Sequence, residues 1–148
     1  MTNAYKQIQI TNENIGAIAA NEYLPYGRVT RRINAPYNCC NTFVVTSSTD
    51  DTVVLNDLGF YKVTYSLTAE AGAVGDVTIG LVVNGTTVYS VSVAAAAEGD
   101  SVNVTLPYTI RACSNCTAAP ETSPVSLQIQ NTGVALTAGT SNIIIEKI

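Results

Sequence analysis

The chain has no histidine and no tryptophan among its 148 residues. Without histidine it lacks the commonest general base at neutral pH, the usual triad partner and the commonest metal ligand. Charge is scarce too: Asp, Glu, Lys and Arg make up 12% of the chain, about half the usual ~25%. Thr, Ser and Asn take their place at outward positions. A surface this poor in charge has little colloidal repulsion, so much of it is expected to lie under other subunits. The net charge of −4 argues against nucleic acid and anionic membrane as partners, since phosphate binding needs a basic stripe. No apolar run approaches the ~18 residues of a membrane span. The first twenty residues lack the charged start and apolar core of a secretory signal, so synthesis in the cytoplasm without export is expected. No phosphate-binding loop, dinucleotide fingerprint or nucleophile elbow occurs. The expectation is therefore a non-enzyme without a cofactor.

What the chain does have is alternation. Tyr61, Val63, Tyr65, Leu67 and Ala69 are apolar, while Lys62, Thr64, Ser66 and Thr68 between them are polar. Successive side chains of a strand point to opposite faces, so this stretch buries one face and shows the other. The beat returns at Val77, Ile79, Leu81 and Val83, at Tyr89, Val91 and Val93, and at Val102, Val104, Leu106, Tyr108 and Ile110. Asn84-Gly85 separates the second and third of these runs, and both residue types tolerate the positive φ of a type I′ hairpin turn. Pro107 in the last run predicts an edge, a bulge or a bend. Val125–Gln130 alternates again, and Thr140–Ile148 closes the chain with Ile143-Ile144-Ile145, apolar on both faces. Some nine or ten strands with turn signals every 8–12 residues predict an all-β sandwich or barrel.

Two units are expected: residues 1–26 as an arm for attachment or subunit exchange, and residues 27–148 as the β domain. Within the arm, Tyr5-Lys6-Gln7-Ile8-Gln9-Ile10 alternates and could pair as a short strand. Ile15 to Tyr23, with Ile18, has no clean period, and Leu24 is biased towards an extended conformation by Pro25. The arm's apolar residues would have to pack on the domain, a sister subunit or another protein. Gly27–Asn34 reads as a strand with Val29, Arg31 and Ile33 on one face. Arg28, Arg31 and Arg32 are three of the seven cations. They either guard a strand edge or dock an acidic surface or a subunit.

Chemical reactivity rests on the four cysteines. Cys39 and Cys40 are adjacent, and Cys113 and Cys116 form a Cys-x-x-Cys. Two disulfides between the two loops would close roughly 70 residues and contribute about 2–4 kcal/mol each. A four-cysteine zinc site and free thiols are the alternatives. Asp50-Asp51 and Glu98 with Asp100 are close carboxylates at turns, where capping of the backbone is the ordinary role and calcium binding the special one. Asn84-Gly85-Thr86, Asn103-Val104-Thr105 and Asn115-Cys116-Thr117 match the glycosylation acceptor, which carries no weight without an export signal.

Gly59-Phe60-Tyr61-Lys62-Val63, Glu98-Gly99-Asp100-Ser101-Val102 and the closing Ile143–Ile148 run are similar to motifs of the tumour-necrosis-factor/complement-type jelly roll. The combination Tyr26-Gly27-Arg28-Val29-Thr30-Arg31-Arg32, a following Cys-Asn, and Ile110-Arg111-Ala112-Cys113 resembles head-fibre or capsid-decoration proteins of tailed bacteriophages. The resemblance implies an antiparallel two-sheet jelly-roll sandwich with an extended N-terminal arm. It implies a homotrimer, with Lys62, Thr64, Ile143 and Ile145 as candidates for its axis. It also implies a virion location on the capsid surface, with the major capsid protein or another virion protein contacted through the arm residues above and Arg28, Arg31 and Arg32. A lysine on the axis departs from the usual aromatic or aliphatic residue and would need a partner. The competing expectation is a receptor- or glycan-binding tip, on a phage tail or a spore surface, working through loops 70–76 and 112–124. A metal-dependent hydrolase is a third.

Overall fold

The period-two segments fold as strands. The computed structural model describes residues 6–34, 42–46, 50–114 and 122–148, and these contain ten strands and no helix. In order they are β1 (Lys6–Asn12), β2 (Arg28–Asn34), β3 (Phe43–Val45), β4 (Val53–Leu55), β5 (Gly59–Ala71), β6 (Gly75–Val83), β7 (Thr86–Ala95), β8 (Ser101–Ala112), β9 (Val125–Asn131) and β10 (Leu136–Lys147). Two five-stranded antiparallel sheets result, the first in the order β2-β1-β10-β5-β8 and the second β3-β4-β9-β6-β7. Cys39, Cys40 and Tyr5 lie outside the described residues, as does most of the 112–124 loop.

Apolar positions of the alternation fill the space between the sheets. Tyr61, Val63, Tyr65, Leu67 and Ala69 of β5 are at most 1% exposed, and face Val77, Ile79, Leu81 and Val83 of β6. The Asn84-Gly85 turn has positive φ at both residues, 48° and 84°, as type I′ requires. Pro107 is exposed on β8, the edge strand of the first sheet. No ladder hydrogen bond is lost there, because the outer edge has no partner strand.

Two expectations are corrected by the packing. The structure does not set residues 6–26 apart as an arm. β1 lies inside the first sheet between β2 and β10, and Ile8, Ile10, Ile15, Ile18 and Leu24 belong to the core. From Asn12 the chain crosses the end of the sandwich. Ile15 and Ile18 donate backbone bonds to Gly139 and Leu136 of the first-sheet side, and Asn21 and Leu24 to Asn131 and Ile129 of β9. Buried Asn131 anchors this strap through its side-chain amide to the Ala19 and Val134 carbonyls. The return to β2 needs glycine: at Gly27, φ is +96° and a Cβ would meet the Thr11 carbonyl oxygen at 2.5 Å.

The second correction concerns β2. A bulge at Gln9/Ile10 pairs Val29 with Ile10 but Arg32 with Ile8, Arg31 with Gln9 and Ile33 with Gln7. Val29 and Arg32 therefore face the sandwich, while Arg31 and Ile33 face away, because the extra residue inverts the alternation. Ile143 and Ile145 are fully buried between the sheets, and Ile144 is half-buried on the opposite face, so the closing strand is apolar on both sides.

Each strand end falls at one of two poles. The terminal pole holds Lys6, the turn before β5, the Asn84-Gly85 turn and Ile148, whose backbone N–H donates to the Phe60 carbonyl. The distal pole holds the turns after β5, β7 and β9.

Candidate functional site

The proposed axis residues do not share a face. Lys62 and Thr64 point outward from the first sheet, whereas Ile143 and Ile145 pair with Tyr65 and Val63 and lie wholly in the core. The apolar residue that does stand beside Thr64 on the outer face is Ile144. Between the level of Lys62 and that of Glu70, the outward side chains of β1, β10, β5 and β8 carry no charge. Gln9 and Thr11 both bond the Asn142 side-chain oxygen at 3.0 Å, and Thr68 bonds Asn103 at 2.7 Å. Lys62 stands opposite Glu146 in the ladder.

Among the residues proposed for contact with a shell, Ile8, Ile10, Ile15, Ile18 and Leu24 are at most 5% exposed and so cannot reach a partner. Tyr23, Arg28 and Arg31 are exposed. Arg32 is exposed as well, but its Nη1 donates to the Phe43 carbonyl oxygen at 2.6 Å. That bond ties the edge of the first sheet to the edge of the second.

Cys113 is in a disulfide, while Cys39, Cys40 and Cys116 lie outside the described residues. A disulfide sulfur has no thiolate to offer zinc, so the four-cysteine zinc alternative loses this ligand. One carboxylate of each pair has a local partner: Asp100 Oδ2 accepts the Ala97 backbone N–H at 2.9 Å and Asp51 Oδ1 accepts the Thr52 side-chain hydroxyl at 2.9 Å. The described ends of loop 112–124, at Ala112 and Val125, lie at the opposite pole from loop 70–76.

Sequence reasoning missed two clusters. The first is at the terminal pole, where Asp57 Oδ2 lies 2.5 Å from Lys6 Nζ, 2.7 Å from the Thr42 hydroxyl and 4.0 Å from Lys147 Nζ. The Asp57 carbonyl also accepts the Tyr61 hydroxyl at 2.7 Å. Partial burial alone would raise the Asp57 carboxyl. The bonds from Lys6 and Thr42, with the charges of Lys6 and Lys147, outweigh it and hold the carboxyl below its usual value. Four segments distant in sequence meet here, and no local spacing announces them. The second cluster is the buried tyrosines. Tyr26 Oη donates to the Leu127 carbonyl at 2.9 Å, while Tyr65 Oη and Ser141 Oγ are buried without a hydrogen-bond partner. Burial pushes both phenols well up, and the Ser141 hydroxyl acts on Tyr65 in the opposite direction without closing a bond of standard geometry.

Three open grooves of 480, 310 and 270 Å3 meet at Glu13 near the distal pole. The Asn12 and Asn14 side chains that line them are already committed to the backbone N–H groups of Asn14 and Gly16. Their chemistry is that of a shaped turn.

No family model matches the chain, and no curated protein matches it. Solved structures do. PRD1 vertex protein P5 is 15% identical and covers 99% of both chains at a TM-score of 0.61. Murine APRIL is 10% identical over 97% of this chain and 99% of its own, at 0.67. The zebrafish complement 1qA globular domain is 9% identical over 97% and 96%, at 0.61. With two antiparallel sheets in this strand order and these likenesses over nearly the whole length, the chain has the jelly-roll fold of tumour-necrosis-factor-type and complement-type domains.

Proposed function

We propose that this protein is a non-enzymatic structural component of a bacteriophage virion, a homotrimeric jelly roll displayed on the capsid surface. The observation that carries the reading is the uncharged outer face of the first sheet. It presents Gln9, Thr11, Thr64, Ser66, Asn142 and Ile144 side by side on a 148-residue chain with few charges. Such a face is suited to burial against a sister copy, because short uncharged side chains cost little to desolvate when their hydrogen bonds are already made. The neighbouring edge, with Tyr89 on β7 41% exposed, supplies the aromatic anchor that interfaces favour. The likeness to a vertex protein over 99% of both chains supports the virion setting.

Attachment falls to the folded domain, since residues 6–26 are built into the sandwich. Sedimentation of the purified protein should give three times the chain mass, and the protein should co-sediment with intact particles. A stable monomer in dilute solution overturns the trimer. Absence from washed particles overturns the virion role.

A further inference from the structure

The charges of this molecule are sorted between its poles. Of the seven cations, six lie on the half nearer the terminal pole: Lys6, Arg31, Arg32, Lys62, Arg111 and Lys147. Only Arg28 lies beyond them. Of the eleven carboxylates, Asp57 and Glu146 share that half and Glu121 lies outside the described residues. The other eight, among them Glu13, Glu70, Asp76, Glu98 and Asp100, lie towards the distal pole. The net charge of −4 thus hides a positive half and a strongly negative one. At the centre of the positive end stand exposed apolar side chains, Leu58 at 51%, Phe60 at 52% and Ile148 at 75%. The bond from the Ile148 N–H to the Phe60 carbonyl holds the last two side by side.

We infer that the terminal pole is a docking surface for an acidic protein surface, with Phe60, Leu58 and Ile148 as its apolar centre and Arg31, Lys62 and Arg111 as its cationic rim. An apolar centre inside a charged rim is the anatomy of a protein–protein interface. Opposite charges at the rim add approach rate and orientation. Asp57 and Glu146 in the same surface, and the negative opposite half, disfavour a uniform polyanion such as nucleic acid. The inference deepens the virion reading by naming which end faces the shell, and rests on it only for the source of the acidic surface.

The test uses immobilised poly-L-glutamate as the probe and the full chain as analyte. Wild type should bind at low salt and weaken about tenfold or more when salt passes physiological strength, where screening shortens to ~8 Å. The Arg31→Glu, Lys62→Glu double variant should lose binding about tenfold, and Phe60→Ser should weaken it in a salt-independent way. Glu70→Gln with Asp76→Asn, at the other pole, should leave it unchanged. Circular dichroism and sedimentation confirm fold and assembly; where the reversed variant fails them, Arg31→Gln with Lys62→Gln replaces it. Equal binding by wild type and the Arg31/Lys62 variant overturns the assignment. So does tighter binding to a duplex DNA oligomer, or salt-sensitive stacking of wild type on itself, which would make a second copy the occupant. Particle co-sedimentation reads the virion role separately. Loss of poly-glutamate binding without loss from particles places the attachment elsewhere and overturns this docking surface while leaving that role intact.

Discussion

Tyr89 and Tyr108 stack with ring centroids 5.6 Å apart and planes inclined by 26°. Tyr89 belongs to the edge of the second sheet and Tyr108 to the edge of the first, so the pair closes one open side of the sandwich. Both residues have the inward parity of their strands, opposite Leu81 and Val63. They remain partly exposed because no further strand covers the edge. The opposite side is closed by the Arg32 bond to Phe43.

Tyr89→Ala should therefore act twice. Losing the stacked pair should cost the fold about 1 kcal/mol, read as a lower denaturation midpoint. If this edge meets a sister copy, dissociation should also become about tenfold easier in sedimentation at low concentration. An unchanged association constant removes the edge from the interface.

Asp57 should make stability depend on pH in the acid range. Its carboxyl titrates lower in the folded chain than in the unfolded one. The stabilisation is thus complete above the unfolded value, near pH 4, and fades as pH falls through the folded value. Asp57→Asn should be less stable than wild type by about 1 kcal/mol at pH 7, as expected for a partly exposed cluster. The difference should shrink towards zero in strong acid. A constant gap from pH 7 to 2 in urea denaturation would show that charge is not its source.

The two buried phenols should respond oppositely to loss of the hydroxyl. Tyr26→Phe leaves the Leu127 carbonyl unpaired and should cost about 1–2 kcal/mol. Tyr65→Phe removes a buried hydroxyl that has no partner, and should be neutral or stabilising by up to ~1 kcal/mol. Thermal melts of the pair decide this, and equal losses would contradict it.

Removing residues 2–12 should abolish folding instead of merely detaching the protein. The deletion takes the strand between β2 and β10 together with fully buried Ile8 and Ile10. Each of these is worth about 2–5 kcal/mol when truncated, against a total of roughly 5–15. A soluble deletion product with the wild-type circular dichroism spectrum would return these residues to the status of an arm.

Much of the fold is legible locally. The strand at Tyr61–Ala69, the Asn84-Gly85 hairpin and the edge position announced by Pro107 all follow from residue chemistry over a few positions. The alternation over Tyr5–Ile10 announces a strand but does not name Ile143 and Ile145 as the residues that Ile10 and Ile8 pair with. Ile15 and Ile18 read as part of an arm until Gly139 and Leu136 are known to accept their backbone bonds. The face of Arg31 misled because a single bulged residue inverts parity without leaving a mark in composition.

The sequence by itself determined the class: alternation and regularly spaced turn residues predict an all-β sandwich or barrel. Only the tertiary structure decided which side chains meet. The Asp57 cluster, the Tyr89–Tyr108 closure and the sorting of charge between poles each join residues separated by many turns of chain. Their positions depend on sheet order and register, and these are set by long-range pairing, which no local pattern encodes.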